Sequence, residues 1–425
     1  MKKIFRLVAV LFILSLTCCL WACNDNHSGE KGNSIEGDSI IEEENDVPAE
    51  SVHEPSPYIK LYVENSGSMF GYVSSSTEFK AAIGKIVHDK DFDFIDIGFN
   101  FINGDGKTAS KSFNDKRVFE HSLSRAGMNV GDTRTSDLNE MLNTMLTNAN
   151  DDTVVVFISD GIYDVGSNNY DALKALGDNT RETVRKTLRK NNAIQAVVIK
   201  MQSQFDGNYC YATKNGSKYY NDKRPYFIWI FGKGELLNKY FSDDKISNWP
   251  GYKNHARLQV TKNLSIPFKL SPENQKGSAR IRGNNTLVGC SPRHNMFAFS
   301  IIVDYNNLAF SDEYLADVFN YNCDNNFSIS QINKASKQAK TAAGVNEYKR
   351  PFVITFETGR KPMGTLSIKL NNKKSAWIDA SNADDENVID SDHTFGFSTL
   401  MEGIVGAYTD LSDNCSAEFT VIFKK

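Results

Sequence analysis

Histidine and cysteine are scarce in this chain, at seven of each in 425 residues. His88, His121, His255, His294 and His393 lie apart with no motif around them, so a histidine-based acid–base or zinc centre has no basis. No C-x-x-C pair occurs, which removes zinc ribbons and thioredoxin-like redox chemistry. Cys210, Cys290, Cys323 and Cys415 allow three complete disulfide pairings, and free thiols fit equally well. Net charge is only −4 and the isoelectric point is near 6.0, which argues against a nucleic-acid-binding surface. No internal repeat is present. Asp384-Asp385-Glu386 lacks the glycine and spacing of a calcium loop and reads as a solvated charge run, and the loop around Asp390, Asp392 and His393 reads the same way.

Apolar residues make up 40% of the chain and aromatics 11%, enough for extensive cores, and the length suits two ordinary domains. Residues 1–23 read as a leader. Met1-Lys2-Lys3 and Arg6 are basic, Leu7 to Leu16 is apolar but too short for a stable span, and Leu20-Trp-Ala-Cys23 closes the segment. That box resembles the bacterial lipoprotein signal, in which the cysteine, here Cys23, is lipidated. The resemblance implies an anchor on a bacterial membrane, the outer membrane first, with the protein in the cell envelope, periplasmic or surface-exposed. Residues 24–57 are acidic and proline-bearing with almost no apolar content, and read as a disordered tether. Such a coil spans roughly 30–35 Å on average.

From Tyr58 the pattern alternates between strand and helix. Strands are expected at Ile59–Val63, Phe92–Ile102, Thr153–Ser159, Ala193–Lys200 and Tyr226–Phe231. Helices are expected around Phe79–Val87, from Leu138 to Leu146, at 180–190 and from Gly234 to Phe241, with residues 203–224 as an inserted hairpin. Alternation of this kind predicts a doubly wound, mostly parallel α/β sheet over residues 58–242. Beyond Asn248-Trp-Pro-Gly251 strands dominate, at 258–270, 279–288, 296–305, 352–356, 366–370 and 418–423. Helical segments interrupt them at 312–319 and 394–408, the second with Phe397, Leu400, Met401, Ile404, Val405 and Tyr408 on one stripe. Residues 252–425 therefore read as a β-sandwich-like domain with helical insertions.

The stretch with most chemical content is Ile59-Lys-Leu-Tyr-Val-Glu-Asn-Ser-Gly-Ser-Met69. A buried strand runs into a loop that carries Glu64, Ser66 and Ser68 at alternate positions, hard oxygen donors suited to a small divalent cation. Thr153–Ser159 ends in Asp160-Gly161, which puts a second carboxylate at the same sheet edge. Thr135 stands where the cap of the next helix is expected, with Thr133 as its rival.

Together these residues resemble the von Willebrand factor A family, whose metal-ion-dependent adhesion site begins D-x-S-x-S; here the pattern is E-N-S-G-S. The resemblance covers about residues 57–242. It implies that Glu64, Ser66, Ser68, Thr135 and Asp160 converge on Mg2+ (Mn2+ or Ca2+ as alternatives). It also implies a docking point, without covalent catalysis, for a carboxylate of a protein or glycan partner. Glu64 departs from the family's aspartate by one methylene. Two other classes stay open: a metal-free scaffold lipoprotein whose β-rich domain makes the contacts, and a metal enzyme. For the enzyme the sequence offers no water-activating base.

Overall fold

The computed structural model describes residues 57–163, 170–261, 264–324, 326–412 and 415–425. The expected leader with Cys23, and the tether up to residue 56, lie outside the described residues. None of the described helices is long and apolar enough to cross a membrane.

Seven strands form the first sheet: β1 Tyr58–Glu64, β2 Asp96–Ile102, β3 Ala109–Phe113, β4 Thr153–Ser159, β5 Ile194–Cys210, β6 Ser217–Lys233 and β7 Tyr252–Leu258. Their order across the sheet is β3-β2-β1-β4-β6-β5-β7. β4 is buried along its whole length. Val154, Val156 and Ile158 enter the core on one face, Val155 and Phe157 the core on the other, as the two-residue period of a strand requires. Helix Glu78–Val87 covers the first face through Phe79, Ala82, Ile83 and Ile86. Helices Leu138–Asn148 and Tyr170–Leu188 cover the second.

The parallel expectation holds for β2, β1 and β4. Past β4 it gives way to a mixed sheet. β5 and β6 form one continuous antiparallel hairpin, and β6 inserts between β4 and β5. The tract 203–224, read as an insertion, is the outer half of that hairpin. A long hairpin satisfies its ladder locally, so β6 enters the sheet without a crossover helix.

Two elements expected in the β-rich segment belong to this first sheet. β7 pairs with β5, and helix Phe397–Leu411 buries its apolar stripe in the same core as β4 and β6. The helix crosses Tyr170–Leu188 at close range: a Cβ on Gly403 would stand 2.6 Å from the Gly177 carbonyl oxygen, so only glycine permits this approach. Arg181 and Asp410 pair across the crossing.

The remaining strands are β8 Phe268–Lys276, β9 Ser278–Arg282, β10 Thr286–Ser291, β11 Phe297–Asp304, β12 Tyr321–Cys323, β13 Ser328–Lys334, β14 Pro351–Thr358 and β15 Gly364–Leu370. The two-residue β16 Asn382–Ala383 and β17 Thr394–Phe395 follow, then β18 Ala417–Lys424. A five-stranded sheet (β12-β15-β18-β10-β9) and a four-stranded sheet (β13-β14-β11-β8) share one apolar core that includes Phe299, Phe356, Leu366, Ile368, Phe419 and Val421. The tract 258–270 is not one strand: β7 ends at Leu258 and β8 begins at Phe268.

Candidate functional site

β1 and β4 are parallel neighbours, and the chain leaves β1 towards β2 on one side and reaches β4 on the other. This is a switch point, and ligands in open α/β sheets bind outside the carboxyl ends of the strands at such points. Val63 is in register with Ile158, so Glu64 ends β1 level with Ser159, and Asp160 follows at once. Both carboxylates are 2% exposed. The Ser66 and Ser68 hydroxyls stand 3.0 Å apart. Asp160 accepts the Ile162 N–H at 3.2 Å. Gly161, at φ +69°, carries the chain out of β4 where a Cβ would meet the Phe227 ring at 2.8 Å.

The loop after β1 is held from beneath. The Asn65 amide donates to the Met128 and Val130 carbonyls at 2.8 Å each and accepts from the Ser110 hydroxyl at 2.9 Å. Gly67 N–H donates to the Thr133 carbonyl at 2.8 Å. Thr133 thus contributes its backbone to the loop.

The structure corrects the reading of Thr135 as the helix cap. Asp137 caps helix Leu138–Asn148, accepting the Glu140 N–H at 3.0 Å. Thr135 is exposed, and its hydroxyl donates to Asp132 at 3.2 Å. In place of Thr135, the neighbouring Ser136 donates its hydroxyl to Glu64 Oε1 at 2.5 Å. Sequence reasoning passed over Ser136 because a helix cap and a ligand one residue apart share the same polar signature.

Glu64, Ser66, Ser68, Ser136 and Asp160 line one cleft of about 660 Å3, with Thr135 also on its wall. The turn Tyr211–Gly216 between β5 and β6 forms another part of its wall. Glu386 fixes that turn, accepting the Thr213 N–H at 2.9 Å and the Thr213 hydroxyl, with Lys214 3.6 Å away. Glu386 was expected on a solvated charge run; it is buried because the turn offers it two donors and a cation.

Comparisons with protein-family models, with curated proteins and with solved structures gave no match. Burial, and then the charge of Asp160, push the Glu64 carboxyl up to about 7, with the Ser136, Ser159 and Ser66 hydroxyls offsetting part of the rise. Burial raises Asp160 as well, against the opposing effects of the Ser68 hydroxyl and the Arg224 charge. Glu64 Oε2 has no hydrogen-bond partner among the described residues. Two crowded, desolvated carboxylates with an orphaned oxygen and a serine pair fit a small cation, because a proton or a cation relieves their repulsion. Among the described residues no three His, Cys, Asp or Glu side chains cluster as a metal cage, so hydroxyls must complete any donor set here.

One consequence is measurable in metal-free protein. Glu64 binds its proton more tightly folded (about 7) than at its ordinary value of 4.5. The contribution of Glu64 to stability is therefore fullest below that ordinary range and is lost as pH rises through about 7, roughly 3 kcal/mol in all. Glu64→Gln should flatten this slope in urea melts run as a pH series, and an unchanged slope would refute the assignment.

Proposed function

We propose that the chain is an envelope-anchored binding protein of von Willebrand factor A-like architecture. Its Glu64–Asp160 centre takes Mg2+, or Mn2+ or Ca2+ in its place, and docks a carboxylate of a protein or glycan partner. One observation carries the reading: two buried carboxylates and a serine pair converge on one open cleft at the β1/β4 switch point, with Glu64 Oε2 unpartnered. The parallel β2-β1-β4 unit and the helices on both faces support the architecture, while the antiparallel β5–β6 hairpin is this chain's own departure. The lipid anchor rests on the resemblance of the Leu20-Trp-Ala-Cys23 box to the bacterial lipoprotein signal, with the outer membrane as the first candidate.

A divalent ion in the cleft would supply an electrophilic docking point for an anionic oxygen. The residues then have distinct tasks. Glu64 and Asp160 cancel the ion's charge. Ser66 and Ser68 present hydroxyls from a loop fixed by Asn65. Ser136 orients Glu64 and takes the hydroxyl role first expected of Thr135, whose own hydroxyl is engaged by Asp132. The turn at Tyr211–Gly216 limits which partners reach the centre.

Calorimetric titration of Mg2+ into the chain tests this. Binding is expected, weakening by about tenfold per pH unit below about 7, because a proton must leave the carboxylate pair. Ser136→Ala should cost about tenfold in affinity, and Thr135→Ala no more than about twofold. If no divalent ion binds at any pH, the metal-free scaffold becomes the better reading, with a proton serving the carboxylate pair.

A further inference from the structure

Arg224 is 1% exposed, a depth at which an arginine requires a reason. It lies on β6 three residues before Phe227, which pairs antiparallel with Ser159, so it flanks the exit of β4 where Asp160 sits. Its guanidinium stacks over the Tyr209 ring at 4.5 Å and stands 5.8 Å from the centre of the Phe205 ring. The Tyr72 hydroxyl donates to the neighbouring Pro225 carbonyl at 2.5 Å, tying the turn that follows Ser66 to this point of β6. Among the described residues Nη1 and Nη2 have no hydrogen-bond partner of ordinary geometry, although the guanidinium interacts with the Tyr72 hydroxyl, and no carboxylate forms an ion pair with Arg224. Other charged groups nearby pair off: Lys214 with Glu386 at 3.6 Å, Lys223 with Glu78 at 3.8 Å and Arg134 with Asp132 at 3.1 Å.

We propose that Arg224 sets the charge of the docking centre and makes it select an anionic ligand. This rests on the reading that the centre holds a divalent cation. Glu64 and Asp160 together cancel such an ion, and a neutral centre attracts a free carboxylate weakly. The buried guanidinium leaves a surplus of one positive charge where solvent screens it little. Its charge already reaches Asp160 and Tyr72, which it favours in their ionised forms. The same charge repels the cation itself, so cation affinity is sacrificed for anion capture. Arg224 is thus a positioning residue that acts through the field and touches neither ion nor ligand.

The signs separate this role from a merely structural one. Arg224→Met keeps much of the length and the apolar stem and removes a charge that is buried away from water. With the full chain in detergent micelles, Mn2+ binding is read by electron paramagnetic resonance. Acetate is the carboxylate probe, read by its effect on water-proton relaxation of the Mn2+-saturated protein. Arg224→Met should bind Mn2+ about tenfold tighter or more and acetate several-fold weaker. The sign for Mn2+ survives proton release, since exchanging one proton for a divalent ion still adds one positive charge. Arg224→Lys keeps the charge and should match the natural protein in both. Circular dichroism verifies folding, and Arg224→Gln replaces the methionine variant if that one does not fold. Equal or weaker Mn2+ binding by a folded neutral variant, or unchanged acetate binding, overturns the inference while leaving the metal reading intact. Mn2+ binding only when Arg224 is neutralised supports it and removes the metal reading from the natural chain. Binding by no variant overturns both.

Discussion

Asp160→Ala is expected to lower divalent-cation affinity by at least about a hundredfold, equivalent to roughly 3 kcal/mol. The residue supplies half of the negative charge in the cleft and is 2% exposed, so water cannot replace it as a screened counter-charge. The same substitution should leave the metal-free protein as stable as before or more so, because it removes the charge that crowds Glu64. Opposite effects on affinity and stability distinguish a lost ligand from a damaged fold. Calorimetry with Mg2+ and thermal melts in chelator provide the two readouts. Retained Mg2+ affinity in Asp160→Ala would remove Asp160 from the centre.

The second large effect concerns the C-terminal helix. The Phe397 ring is fully buried and stacks on Phe227 with centroids 3.8 Å apart, and Trp377 and Trp229 stand 6.1 Å and 6.5 Å away. Phe397→Ala should cost about 4 kcal/mol, combining lost transfer energy with a cavity that the rigid aromatic neighbours cannot close. Urea denaturation followed by tryptophan fluorescence would show it, since Trp229 and Trp377 report on the same cluster. A loss below about 1 kcal/mol would mean that the helix docks on the sheet through its crossing with Tyr170–Leu188 alone. Because β7 and this helix come from the part of the chain after residue 248, the first sheet is incomplete without the C-terminal segment. A truncated residue 58–242 fragment therefore lacks one edge strand and part of one face.

Much of the fold was legible from periodicity. The uninterrupted apolar run Thr153–Ser159 announced a central strand, and burial on both faces is the physical reason it can be so apolar. The stripe Leu138, Met141, Leu142, Met145 and Leu146 announced a helix, and all five residues are buried. Strand direction was not legible. Tyr226–Phe231 has the composition of a buried strand whether it runs parallel or antiparallel, and only the pairing of β5 with β6 decides. The site divides the same way. Glu64, Ser66, Ser68 and Asp160 follow from where strands end, because a strand end is a local property. Ser136 and Arg224 do not, because their roles depend on which loop and which neighbouring strand arrive beside them.

The sequence by itself determined most of the strands and helices, the polar loop after β1 and the aspartate after β4, since each depends on neighbours a few residues away. Only the tertiary structure decided that β6 enters between β4 and β5, that β7 and Phe397–Leu411 complete the first layer, that Glu386 pins the wall of the cleft, and that a buried arginine without an ion-pair partner among the described residues acts on Asp160. Those are contacts between residues far apart in the chain, and no local pattern records them, because hydrophobic burial sets how much surface must be covered without naming the segment that covers it.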